Sequence, residues 1–269
     1  MTGSISARVR PLIEVAPGVW TAAADIWTSL TTVIVADDGS CLVVDPGITV
    51  AEVAGLAAGI HAHGWSVAAG FSTHPHWDHL LWARDLGDGP RWATRRGAAG
   101  ALATRDDSVA KVEAAAPGHD PGLTGYVTAL PDAVGEVPWD GRRAVVVRHE
   151  AHCPGHAGLV LPHAGALLAG DMLSDLEIPL LDLKASDPVA DYRTGLATLE
   201  ATAREHSVRV LVPGHGHVGD AAELGRRLAA DRCYLDDLEA GRPSTDPRLG
   251  TAWLAAEHAR HVARLHGGG

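Results

Sequence analysis

The sequence predicts an α/β fold in which two packed β-sheets are flanked by helices. Three observations carry this reading. β-branched runs recur in both halves of the chain, capped helical patterns alternate with them, and chemistry-bearing residues fall at strand ends beside glycine. A length of 269 residues and an apolar fraction of 46% suffice for one large domain over residues 1–269.

The first elements are residues 31–36 (TTVIVA) and 41–45 (CLVVD), β-branched runs joined by the hairpin signal Asp37-Asp38-Gly39. A helix follows over 50–62. Thr49 and Glu52 form a capping box, Val53, Leu56, Ala57 and Ile60 repeat at helical spacing, and Gly64 ends it. Residues 68–72 read as a buried strand. Residues 95–140 hold several Gly and Pro and read as a helix followed by a long irregular excursion. Strand patterns resume at 143–148, 159–161 and 166–169, the last two joined at His163-Ala164-Gly165. Asp187 then Pro188 is an N-cap with proline at the first helical position, and Val189, Tyr192, Leu196 and Leu199 supply that helix's apolar face. Residues 208–212 form a short strand. Asp220 with Glu223 caps another helix, and Asp246-Pro247 opens the last, placing C-terminal helices over about 220–266.

Composition narrows the function classes. The net charge of −11 disfavours a general nucleic-acid surface, which needs a basic patch. Cys41, Cys153 and Cys233 are widely spaced without a C-x-x-C and read as free thiols in a reducing compartment. The first twenty residues lack the continuous apolar core of a secretory signal, and no run of about 18 apolar residues could span a membrane. The expectation is a cytoplasmic protein acting on a small molecule, with neither nucleic acid nor membrane as partner.

Chemistry concentrates in Thr73-His74-Pro75-His76-Trp77-Asp78-His79. In an extended segment, positions two apart point the same way, so His74 and His76 can reach one ion together. Asp78 and His79 follow a turn and can reach a second ion. Imidazole and carboxylate donors without thiolate suit Zn, Mn, Fe or Co. Three further segments put His or Asp at a strand mouth beside Gly: Ala151-His152-Cys153-Pro154-Gly155-His156, Leu167-Leu168-Ala169-Gly170-Asp171 and Val212-Pro213-Gly214-His215-Gly216.

In these motifs and their order, residues 15 to 220 resemble the metallo-β-lactamase superfamily of metal-dependent hydrolases, whose first motif reads H-x-H-x-D-H. The Val44-Asp45-Pro46-Gly47 turn resembles the family's early strand-end Asp-x-Gly. The resemblance implies an αββα four-layer sandwich with a two-metal site at the sheet edges, and two divalent ions, zinc first and Mn or Fe as alternatives. It implies that His74, His76 and His152 hold the first metal, that Asp78, His79 and His215 hold the second, and that Asp171 bridges them. His152 is preferred because it precedes the x-P-G turn, with His156 as the alternative; Cys153 stands where Thr or Ser is usual.

The implied reaction is attack of a metal-bridging hydroxide on the carbonyl of a lactone, thioester or other activated ester, with β-lactam turnover also open. Asp78 would ligate and orient the nucleophile. His156 is the foremost proton donor to the leaving group, with His217 and Tyr192 as further options. Alternatives within the family are an iron-dependent oxidoreductase, a polyketide-processing cyclase or thioesterase, and a phosphodiesterase. Asp45 reads as a supporting turn residue, and His258, His261 and His266 as a solvated helix face. Trp77 and Trp82 are expected either to wall the pocket or to pack under the adjoining helix, the apolar segment 176–181 to line the pocket mouth, and residues 95–140 and 172–186 to shape it.

Overall fold

The architecture is taken from a computed structural model that describes residues 11–267; part of the N-terminal stretch read above for a secretory signal lies outside them. The first sheet runs in sequence order through seven strands: β1 (Ile13–Ala16), β2 (Val19–Ala23), β3 (Leu30–Val35), β4 (Ser40–Val44), β5 (Ser66–Phe71), β6 (Arg91–Thr94) and β7 (Thr128–Leu130). The first four are antiparallel and the last four parallel. The second sheet holds β8 (Val145–Arg148), β9 (Ala157–Leu161), β10 (Ala166–Gly170), β11 (Val210–Pro213) and β12 (Gly219–Asp220), adjacent in the order β12-β11-β10-β9-β8.

Strand alternation builds the layers. Ile34, Leu42, Val44 and Phe71 of the first sheet meet Leu159, Leu161, Leu168 and Val212 of the second in one inner core. The intervening residues face outward. Val33 and Val43 pack on Val53, Leu56 and Ile60 of α1 (Val50–Ala62). Val160, Leu167 and Leu211 pack on Val189, Leu196 and Leu199 of α4 (Pro188–Glu205) and on Leu224 and Leu228 of α5 (Ala221–Glu239). The result is the expected αββα sandwich. α1 keeps its predicted bounds and its Thr49–Glu52 capping box.

The excursion at 95–140 has more structure than its composition suggests. It contains α2 (Arg95–Ala103), α3 (Arg105–Ala115) and β7, which pairs with β6 in the first sheet. β6 and β7 have four and three residues, too few to show a period. Asp246-Pro247 opens only a 3₁₀ turn, and the final helix α6 (Ala252–His266) starts after Thr251.

At one edge the sheets are tied by backbone bonds. Ala157 N–H donates to Thr73 O (2.9 Å) and Leu30 N–H to Gly214 O (2.7 Å). These bonds set the His-rich loop after β5 against the ends of β8, β10 and β11.

Leu159 is fully enclosed between the sheets. Leu159→Ala should lower unfolding free energy by about 2–5 kcal/mol, read as a lower urea midpoint at unchanged slope.

Candidate metal centre

Four strand ends deliver seven donors to one place. His74 and His76 lie in the bent segment after β5, His76 itself in extended backbone, and a 3₁₀ turn at Trp77–His79 then swings Asp78 and His79 back. His152 follows β8 at φ +68°, a left-handed conformation that costs a non-glycine residue energy and must be held by its surroundings. Asp171 follows β10, and His215 follows β11. Gly214 permits the approach of the last two, since a Cβ there would collide with Asp171 Oδ1.

The donors fall into two groups, His74, His76, His152 and Asp171 in one, Asp78, His79 and His215 in the other. Within each group one donor atom per residue lies within 4.8 Å of the others. Asp171 reaches across both groups. Its Oδ2 is 3.4 Å from His74 Nε2, 3.5 Å from His152 Nε2 and 3.4 Å from His215 Nε2, while Oδ1 is 3.2 Å from His79 Nε2. Asp78 Oδ2 lies 3.3 Å from both His79 Nε2 and His215 Nε2.

Four imidazoles are fixed from behind. His79 Nδ1 lies 2.9 Å from Asp45 Oδ2, His215 Nδ1 3.0 Å from Ser29 Oγ, and His74 Nδ1 3.0 Å from Thr73 Oγ1. His152 Nδ1 donates to the Leu180 carbonyl at 3.0 Å. Asp45, itself at φ +49°, also accepts from Thr73 N–H (2.9 Å) and Thr73 O–H (2.6 Å). Partners of this kind choose the tautomer and aim the free nitrogen. Of them, only Asp45 stood out in the sequence; Ser29, Thr73 and a backbone carbonyl carry no motif.

The donor set fits divalent cations. Ring nitrogens of the first group face one another at 3.0 Å (His152 Nε2 to His76 Nδ1) and 3.1 Å (His74 Nε2 to His76 Nδ1), and buried Asp171 Oδ1 has no hydrogen-bond donor. Lone pairs converging without enough protons suit a cation. Burial pushes His152 down to about 3 and holds His74 well below an ordinary histidine. Burial also opposes charge on His79 and His215, yet the nearby carboxylates, Asp171 foremost, hold both well above the usual value. For Asp78 and Asp171 burial resists ionisation, but the facing imidazoles keep both well below the carboxylate range. That negative field is what a dication would enter, displacing the imidazole protons.

The family profile described as the metallo-beta-lactamase superfamily matches residues 25–215, most of the chain. The chain belongs to the metallo-beta-lactamase superfamily. Solved structures of similar fold include a metallo-beta-lactamase from Pontibacter korlensis (17% identity, TM-score 0.62, covering 82% of this chain and 97% of that one). A beta-lactamase domain protein from Burkholderia ambifaria is similar over 97% of this chain and 87% of its own (20% identity, TM-score 0.63). A stereoselective inverting sec-alkylsulfatase from Pseudomonas sp. aligns with 96% of this chain over 50% of its own length (15% identity, TM-score 0.66). No curated protein matches the chain.

A cavity of about 1000 Å³ opens over the cluster. Trp27, Trp77, Leu180 and Leu181 give it apolar walls, and α3 contributes Asp107 and Lys111. α6, which lies beyond the superfamily match, supplies Trp253, Glu257, Arg260 and His261. Sequence reasoning missed Trp27 and α6, because the loop after β2 and the C-terminal helix reach the site only through tertiary packing.

The proposed proton donors sit elsewhere. His156 is fully buried, accepts the Asp171 backbone N–H on Nε2 (3.1 Å), and its Nδ1 faces His149 Nε2 at 3.2 Å. It stacks behind His74 and supports Asp171 from within, so it cannot reach a leaving group. Tyr192 is buried in the core against the second sheet, and His217 turns out to Asp175 at 2.8 Å.

The histidine face of α6 is also not uniformly solvated. His261 is 1% exposed and accepts Leu181 N–H on Nε2 at 3.4 Å. Its Nδ1–H therefore donates to Tyr234 Oη (2.8 Å), whose hydroxyl donates to His258 Nδ1 (3.0 Å). Burial pushes His261 down to about 4 from 6.5. Between those values the unfolded chain binds a proton that folded His261 refuses, so stability falls as pH drops from about 6.5 to about 4. Urea unfolding of His261→Gln at pH 7 and pH 5 should show a less stable protein at pH 7 but a smaller loss on acidification than the parent.

Proposed function

We propose that this protein is a binuclear metallo-hydrolase that attacks the carbonyl of a small carboxyl derivative, a lactone, a thioester or another activated ester. The observation that carries the reading is the placement of Asp171 between two converging donor groups. In this reading His74, His76 and His152 hold one ion, Asp78, His79 and His215 the other, and Asp171 both. Two divalent ions held there, zinc first in suitability for the donors, would lower the pKa of a bound water toward neutrality and polarise the substrate carbonyl.

The chain's own residues do the rest. Asp78, in hydrogen-bonding range of two imidazoles and open to the cavity, orients the attacking water. Asp45, Ser29, Thr73 and the Leu180 carbonyl keep the imidazoles aimed so that little rearrangement is needed during reaction. Trp27, Trp77 and Trp253 border the cavity and fit an apolar acyl or ring portion of the substrate. The acidic total supports a small molecule over RNA or a nucleotide as substrate. The free state of all three cysteines fits a reducing, cytoplasmic setting. Among the described residues no helix is long and apolar enough to cross a membrane.

Elemental analysis of untagged protein, paired with a lactone, thioester and β-lactam screen, tests the proposal. About two zinc per chain and turnover in the screen are expected, with Asp171→Ala losing metal and about 10³-fold or more of the activity. One iron per chain with oxygen consumption would replace hydrolysis by redox chemistry.

A further inference from the structure

Glu177 is unlike every other carboxylate in the cavity. Its side chain lines the space beside the donor cluster, the residue is only 9% exposed, and its carboxylate has no hydrogen-bond or ion-pair partner among the described residues. Asp107 is paired with Lys111 and Glu257 with Arg260, whereas Glu177 is left open to the cavity. A carboxylate on a largely buried side chain that faces the cavity with no donor contributes no contact to the fold, and such groups are kept chiefly where chemistry needs them.

The position is also rigid. Ser174 Oγ accepts from Leu176 N–H (3.0 Å) and Glu177 N–H (3.1 Å). Arg248 Nη1 donates to the carbonyls of Ser174 (3.1 Å) and Glu177 (2.8 Å) and to Asp231 Oδ1 (2.7 Å). Asp231 and the Arg248 side chain are almost wholly buried, so the loop carrying Glu177 is clamped onto α5 and the 3₁₀ turn before α6. The clamp acts on the backbone and leaves the carboxylate unengaged.

Glu177 feels the field of His215, Asp171, Asp78 and His79, yet it belongs to neither converging donor group. It is near the reacting centre without being a ligand. The other proton-carrying groups considered, His156, Tyr192 and His217, are enclosed or turned away, as described above.

Resting on the hydrolase reading, we propose that Glu177 is the proton-transfer residue of this site, taking a proton from the attacking water and returning it to the leaving atom. The water O–H bond breaks as its oxygen bonds to the carbonyl carbon, and the proton moves to the Glu177 carboxylate. The bond from carbon to the leaving atom then breaks, the electron pair goes to that atom, and Glu177 protonates it. The carboxylate is restored, and one water has been consumed. Burial pushes the Glu177 carboxyl up to about 7, which fits a group that holds and releases a proton near neutrality.

The test compares the parent, Glu177→Gln and Glu177→Asp on the 4-nitrophenyl, phenyl and ethyl esters of one acid, with metal content measured on each. A leaving nitrophenolate needs little protonation, and a leaving ethoxide needs it fully. Glu177→Gln should keep its metal and lose about 10-fold on the nitrophenyl ester, where only proton removal from water is missing, but about 10³-fold or more on the ethyl ester, where leaving-group protonation is missing too, and Glu177→Asp should recover part of both losses. Equal losses on all three esters, or loss of metal in Glu177→Gln, would overturn the assignment. A metal-loaded parent that cleaves none of the esters would overturn the hydrolase reading itself, and this assignment with it.

Discussion

Two ionised carboxylates, Asp78 and Asp171, lie among five imidazoles where two sheets meet, and the rest of the site is organised around that charge. Asp78 is 8% exposed and the Asp171 side chain 6%. Carboxylates so removed from water are tolerable only with cations close by. In the protein alone, His79 and His215 supply the positive charge by holding protons. The proposed ions would supply it more strongly and free those nitrogens as ligands.

Holding these groups in place takes both sheets. The backbone bonds from Ala157 to Thr73 and from Leu30 to Gly214 fix the distance across the edge, and left-handed backbone at Asp45 and His152 turns two side chains that an ordinary strand end would misdirect. The cavity wall is a separate construction. α3, the loop after Asp171 and α6 close over the cluster, and His261, Arg248 and Arg264 bind that loop's backbone from the C-terminal side. Substrate choice can therefore change through these outer elements while the donor set stays constant.

Much of this was legible in the sequence for identifiable reasons. The helix at 50–62 carried both a capping box and a period, and the seven donors stood in motifs beside glycine at strand ends. The short strands β6 and β7 carried no period because parallel partners, not their own pattern, define them. Ser29, Thr73 and Arg248 were silent because a single hydrogen bond across the fold leaves no local mark. His156 misled for the opposite reason: it sits in a ligand motif, but its turn points it behind Asp171 and not toward the cavity. Glu177 stayed unread because its significance is the absence of a partner, which only the packed structure reveals.

Anomalous diffraction at the zinc edge from crystals of zinc-loaded protein tests the two-ion site most directly. Two peaks about 3.5–4 Å apart are expected, one among His74, His76 and His152, one among Asp78, His79 and His215, with Asp171 between them. A single peak, or zinc bound elsewhere such as at His258, would contradict the claim that these seven side chains form a two-ion site.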